Sequence, residues 1–271
     1  MYKEIELLDI EDKNEILRLL NFSKHQLLEL EDMWMIMDIV WDEIGCNNKI
    51  LDKTKISKFY SHPVWVLNGI FIENHNDSLN NRHIISNYIK KNDNFRKILD
   101  FGGGWGTLAR IIANDNPEKT IDIYDEYPNK YAIEKCLEYK NINFIKNLSY
   151  KYDCIISTDV LEHVEDPLKT FDKMITSLKK NGVLIIGNNF YPVIKCHLPS
   201  TFHFRYTFKY FAKLMGLVKI GNLNYTVIYR KIHNKNQNWF FLRFFELLSK
   251  LLFPVFQNIH PLLVKFKRIF K

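Results

Sequence analysis

Three glycines at alternate positions, Gly102, Gly104 and Gly106, follow the apolar run 97–101 and stand just beyond the acid Asp100. Without a Cβ, glycine lets the chain turn sharply and lets a ligand approach the main chain closely. A helix is expected to open directly behind the loop, over 106–115, and would add free N–H donors and a partial positive charge. That combination suits a carboxylate, a phosphate or a ribose edge. A nicotinamide-binding loop needs Gly-x-Gly-x-x-Gly. Its third glycine would fall on Thr107, which argues against an NAD(P)-dependent oxidoreductase, as does the lack of a Tyr-xxx-Lys pair near the site. Cys46, Cys136, Cys154 and Cys196 contain no Cys-x-x-Cys pair. This argues against a zinc ribbon, a thioredoxin-type redox pair and a disulfide scaffold. No His/Cys/Asp cluster has metal-ligand spacing, so no required metal is expected.

The elements that must position this loop change texture along the chain. Residues 1–95 read mostly as helix, with apolar residues at three-to-four spacing over 4–22 and 23–44. Ser23 reads as an N-cap and Gly45 as a stop. Residues 62–73 read equally as a short strand or a buried helix, and 77–91 as a helix capped by Asp77 or Ser78. The run Met33-Trp34-Met35-Ile36-Met37 reads as core rather than a binding surface, and Arg82-His83 as a solvated helix face, with a face turned to the cleft as the alternative. Trp105 reads as lining a pocket or packing on the helical region. From 97 to 230, short apolar runs alternate with helical stretches. Strands are expected at 97–101, 120–125, 142–146, 152–157 and 183–189. Helices are expected at 106–115, at 128–140 with Pro128 at the start, at 166–180 stopped by Asn181-Gly182, and at 207–216 ended by Gly216. Residues 217–222 and 225–231 read as a final antiparallel pair. Alternation of this kind predicts an α/β fold, a mostly parallel sheet with helices on both faces, binding ligands at the carboxyl ends of its strands.

Two segments make the pattern specific. One is the loop with Asp100, Gly102, Gly104 and Gly106. The other is 152–167, which runs through Thr158-Asp159-Val160-Leu161-Glu162-His163 to Asp166-Pro167, with 181–187 beyond it. On these, residues 95–230 resemble the class I S-adenosylmethionine-dependent methyltransferases of small-molecule type. The resemblance implies a Rossmann-like sheet of seven strands, one of them antiparallel, and S-adenosylmethionine as cofactor. It implies that Asp100 and the three glycines hold that cofactor. Asp125, at the end of the second strand, would accept from the ribose hydroxyls, with Glu126 as its rival. Thr158 follows the fourth strand beside the same site. Many relatives place an acid after the third strand for the adenine amino group; here Asn147 stands there, able to accept through its amide oxygen.

The resemblance further implies in-line displacement of a methyl group from a sulfonium, for which the protein mainly supplies positioning. A hydroxyl acceptor also needs a base near neutral pKa, a role that suits histidine. The candidates are His163 and His203, with His197 third. Arg205, two residues beyond His203, is a candidate for binding an anionic acceptor.

The 271 residues, at 46% hydrophobic and 25% charged, are those of an ordinary folded chain rather than a disordered or fibrous one. Residues 231–271 carry eight Lys/Arg against the single acid Glu246, which accounts for the whole net charge of +7. The body is neutral, so no nucleic-acid partner is expected. Residues 239–256 and 261–271 read as two amphipathic helices separated at Pro254. Arg243, Glu246 and Lys250 fall on one stripe of the first, and Lys265, Arg268 and Lys271 on one side of the second. A wide apolar face with basic edges reads as an interfacial membrane helix, or else as a helix docked on the domain or a second subunit. The opening residues are acidic and lack a long apolar run, so no secretory signal is expected. The expected organisation is a helical cap over 1–94, a methyltransferase domain over 95–231 and a basic tail over 232–271. The expected acceptor is a small molecule, a sugar or glycolipid precursor methylated on oxygen, in the cytoplasm and peripheral to the inner face of a membrane. The competing expectation is a non-catalytic methyltransferase-like protein that binds a membrane or a partner.

Overall fold

The computed structural model describes residues 2–25, 27–148, 151–234 and 236–269, with side chains described as far as residue 259. Five helices come first: α1 (Ile10–Leu20), α2 (Leu30–Glu43), α3 (Lys53–Tyr60), α4 (Val64–Asn74) and α5 (Asn76–Lys90). Then strand and helix alternate: β1 (Lys97–Phe101), α6 (Thr107–Asp115), β2 (Thr120–Tyr124), α7 (Lys130–Cys136), β3 (Ile142–Ile145), β4 (Tyr152–Thr158), α8 (Pro167–Ser177), β5 (Leu178–Gly187) and α9 (Phe204–Leu214). The hairpin β6 (Leu217–Leu223) and β7 (Thr226–Lys231) precedes the long α10 (Trp239–Ile269). The seven strands form one sheet in the order β3-β2-β1-β4-β5-β7-β6, with β7 the antiparallel member. The order reverses between β1 and β4, the switch point at which ligands of such sheets bind.

The apolar strand residues split between two faces. Leu99, Ile155, Leu184 and Ile186 pack with α8 and α9, while Ile98, Ile121, Ile156 and Ile185 pack with α5 and α6. The fifth helix therefore belongs to the sheet sandwich, not to the cap, since Ile85 and Ile89 are buried on that second face. The cap proper, α1 to α4, has its own core, including Met33, Ile36, Met37, Trp41, Phe59 and Ile70. Burial of each such side chain contributes about 1.5–3 kcal/mol. Met33 and Met37 are buried in that core as the sequence predicts, though with Trp34 they also line the cavity described below, and the segment 62–73 contributes a helix from Val64 onward.

Several expected boundaries move, each for a local reason. The second helix begins at Leu30, not after Ser23, because Glu29 and Asp32 form a reciprocal capping box. The fifth helix starts at Asn76, behind His75. Pro128 lies outside α7, whose N-cap is Asn129, accepting from the Tyr131 N–H. The eighth helix stops at Ser177. Leu178 turns to extended backbone and pairs with Tyr152, and Asn181, at φ 66°, carries a bulge inside β5. The ninth helix starts three residues early, at Phe204. Finally, α10 runs through Pro254 without a break. One proline removes a single backbone hydrogen bond, and the turns before it are held by polar contacts to the body, described below. Among the described residues no helix is long and apolar enough to cross a membrane. The side chains of Lys265, Arg268 and Lys271 lie outside the described residues.

Candidate functional site

The loop between β1 and α6 bends through three left-handed positions, Gly102 at φ 76°, Gly104 at 51° and Gly106 at 72°. At Gly102 the need for glycine is doubled, because an added Cβ would stand 2.4 Å from Val160 Cγ2. At Gly104 an added Cβ would meet nothing within 4 Å, so this stretch of main chain faces open space. Asp125 braces the loop: its Oδ2 accepts from the Gly104 N–H at 2.9 Å and its Oδ1 from the Tyr127 N–H at 2.9 Å. Each oxygen retains capacity for a further donor. Asp100 is buried, and its Oδ2 has no hydrogen-bond partner. Burial, with Arg82 opposing it and Asp125 adding to it, pushes the Asp100 carboxyl up to about 7.

These groups border a cavity of about 830 Å³ at the switch point of the sheet, within the range of small-molecule sites. One part of its wall is polar and comes from the sheet and α5: Asp100, Gly104, Asp125, Thr158 and Arg82. The other is mainly apolar and comes largely from the cap, including Leu30, Met33, Trp34, Ile56, Tyr60 and Trp65. Arg82 is thus a cavity residue, not a solvated one; helical periodicity could not show that α5 lies beside the strand ends. Trp105 does both things expected of it. It lines the cavity, and its ring sits so tightly on Gly69 of α4 that a Cβ there would approach its Cγ to 2.4 Å.

His163 stands where the two parts meet. The rings of Tyr60 and Trp65 from the cap and of His197 pack edge-on to it at 6.3, 6.3 and 4.7 Å. Tyr60 also stacks on Tyr127, just beyond Asp125, at 5.3 Å. His163 Nδ1 donates to the Cys196 carbonyl at 3.2 Å and His197 Nδ1 to the Tyr191 carbonyl at 2.7 Å, leaving each Nε2 as an acceptor. Burial, helped by His197, takes the His163 imidazole down to about 3, and burial also lowers His197. Glu162 behind them accepts from the Asn189 N–H at 2.5 Å and leaves Oε2 without a partner. Burial first, then Asp159, pushes its carboxyl up to about 8. Among the described residues Glu162, His163 and His197 bring ligand atoms within 4.8 Å of one another. The sequence spacing predicted no such cluster, because His197 is 34 residues away and is delivered by the segment after β5. Two neutral imidazoles and a carboxyl group form a donor set able to share a proton or hold a cation.

Other expected residues lie elsewhere. His203 is buried against α10, where its Nδ1 meets Ser249 Oγ at 2.8 Å, and it does not line the cavity. Arg205 is spent on structure: it donates to the Phe190 carbonyl and lies 3.6 Å above the Tyr191 ring. Asn147 is exposed and outside the lining, because β3 is the edge strand and ends short of the cavity. Gly106 shapes the loop rather than the wall, its N–H donating to the Gly103 carbonyl. The four thiols are free, and each is held protonated by burial.

The family described as methyltransferase domain matches residues 74–192. A ubiquinone biosynthesis O-methyltransferase of Haemophilus ducreyi is 32% identical over 155 residues, 51% of this chain and 64% of that one. A malonyl-[acyl-carrier protein] O-methyltransferase of Halalkalibacterium halodurans is 27% identical over 139 residues, 46% of this chain and 48% of that one. The chain therefore spans less than two thirds of the length of either relative. Among solved structures, a candidate O-methyltransferase from Nostoc punctiforme superposes with a TM-score of 0.52 at 15% identity, covering 79% of this chain and 72% of that one. That likeness is one of fold.

Proposed function

We propose that this chain, whose residues 74–192 match a methyltransferase domain, is a class I S-adenosylmethionine-dependent methyltransferase that methylates a hydroxyl oxygen of a small acceptor with a polar end and an apolar body. Of the sugar and glycolipid precursors expected from the sequence, this reading takes the lipid-bearing ones. The observation that carries it is the two-part cavity: one polar wall beside the glycine loop and one apolar, aromatic wall from the cap, with His163 between them.

The polar wall fits the cofactor. The open main chain at Gly104, the unpartnered buried Oδ2 of Asp100 and the spare lone pairs of Asp125 are what a ligand with vicinal hydroxyls and an ammonium group requires. Asp125 would hold the ribose hydroxyls, Asp100 the amino group and Arg82 the carboxylate. When bound, S-adenosylmethionine supplies an activated methyl group that the acceptor oxygen takes in line, with loss of the acceptor's proton. His163 Nε2 accepts the hydrogen bond that orients the acceptor hydroxyl. Its lowered pKa suits it to orientation better than to holding the proton, and Glu162, which is buried behind it and does not line the cavity, would take the proton only by way of that imidazole. Tyr60, Trp65 and Trp34 exclude water and stack on the apolar body. The same reading keeps the chain in the cytoplasm, peripheral to the inner face of a membrane, where such acceptors are held.

Calorimetric titration with S-adenosylmethionine and S-adenosylhomocysteine tests the cofactor. Both are expected to bind, and Asp125→Ala is expected to weaken binding on the order of 100-fold, a loss of about 2.7 kcal/mol. Tritiated methyl transfer then tests the acceptor. Label is expected in a chloroform-soluble product from a lipid extract. Label found only in water-soluble products would overturn the lipid-bearing acceptor and leave the cofactor intact.

A further inference from the structure

A surface helix ordinarily hides its apolar stripe and shows its charges. In α10 the arrangement is reversed. Its charged stripe faces the body: Arg243 pairs with Asp166, and Glu246 accepts from Arg243 at 2.6 Å and from Lys250 at 2.8 Å. Ser249 Oγ lies 2.8 Å from both His203 Nδ1 and Thr207 Oγ1. Glu246 and Ser249 are buried. The outer side carries large apolar residues in the open: Phe240 is 79% exposed, Leu251 67%, Leu247 57%, Phe241 56% and Phe244 55%. The strip continues through Val255 and Ile259. A helix of 31 residues is about 46 Å long, so this is a long apolar surface and not a scatter of single side chains.

We infer that the outward face of α10 docks onto an anionic lipid bilayer, with the helix lying along the surface and its charged stripe turned to the protein. Three observations favour that occupant. Residues 251–271 carry Lys265, Lys267, Arg268 and Lys271 and no acid, while Glu246, the single acid of 231–271, is turned inward and paired with Arg243 and Lys250. A second copy of the chain would bring two such segments together with like charge, whereas an anionic headgroup layer complements them. A long helix with one exposed apolar side and a polar side suits the interface plane of a bilayer. The docking deepens the acceptor reading, on which its link to catalysis rests, because Asp166, the anchor of Arg243, also lines the cavity. A lipid-bearing acceptor would then enter beside the helix that holds the protein at its source.

Flotation of the full chain with vesicles of phosphatidylcholine containing phosphatidylglycerol, against phosphatidylcholine alone, reads the docking directly. The chain is expected to float with the anionic vesicles and to be released by salt. The triple variant Phe240→Ser, Phe244→Ser, Leu251→Ser leaves the inward stripe intact. It is expected to lose binding on the order of 100-fold while keeping the cofactor affinity of the parent. No flotation of the parent, equal flotation of the variant, or a parent dimer that the variant splits without any vesicle binding would each overturn the docking. Vesicle binding in a chain that fails to bind S-adenosylmethionine would retain the docking and defeat the enzyme reading instead.

Discussion

At the scale of single residues, the site separates groups that hold from groups that titrate. Asp125 is committed through two main-chain donors to the shape of the glycine loop, so its loss removes a brace as well as the ribose contact proposed for it. Glu162 is different. Its burial leaves one carboxylate oxygen without a donor, and the carboxyl is pushed up to about 8. A raised pKa means that the charged form is the disfavoured one in the folded protein, present mainly above pH 8. Turnover is therefore expected to rise through an inflection near pH 8, and Glu162→Gln to abolish that inflection while cofactor binding persists. Rate profiles from pH 6 to 9 check this. A rate that stays level from pH 6 to 9 and is lost in His163→Gln would return the base role to that imidazole, which is already neutral across this range. The glycine loop and Asp125 were legible from the sequence because both lie in one short βαβ unit. Arg82 read more readily as solvated and His197 ranked only third among the histidines, since each reaches the cavity through long-range packing.

Elements explain the residues that went elsewhere. His203 looked catalytic because it precedes a helix near the strand ends, yet that helix turns it towards α10. Its imidazole is lowered to about 4, by burial first and then by Lys250, with Glu246 opposing. A folded pKa below the ordinary 6.5 contributes stability that is complete above pH 6.5 and is lost as pH falls towards 4. Between pH 7 and pH 5 the unfolding free energy of the parent is expected to fall by roughly 2 kcal/mol more than that of His203→Gln. Denaturant titrations at the two values measure the difference. Periodicity alone placed Arg243, Glu246 and Lys250 on one stripe of the tail, but could not say which side of the helix would meet the protein.

At the scale of the whole molecule, a helical cap and a seven-stranded sheet close on one cavity, and their coupling is local and dense. Glu73 at the end of α4 accepts from Thr107 Oγ1 and pairs with Arg110 and Lys135, while Trp105 of the glycine loop rests on Gly69. Gly69→Ala would push a methyl group into that indole. It is expected to cost about 1–3 kcal/mol of stability and to weaken S-adenosylmethionine binding, as measured by thermal unfolding with and without cofactor. Unchanged affinity would show that cap and loop are independent. By itself the sequence determined the strand–helix alternation, the glycine loop and the concentration of charge in the tail, because each depends on residues close together in the chain. Only the tertiary structure decided which acids stay unpartnered, which histidines meet, and that α10 turns Arg243 and Glu246 towards the body. Those outcomes depend on burial and on contacts across tens to hundreds of residues, which hydrophobic period and spacing do not encode.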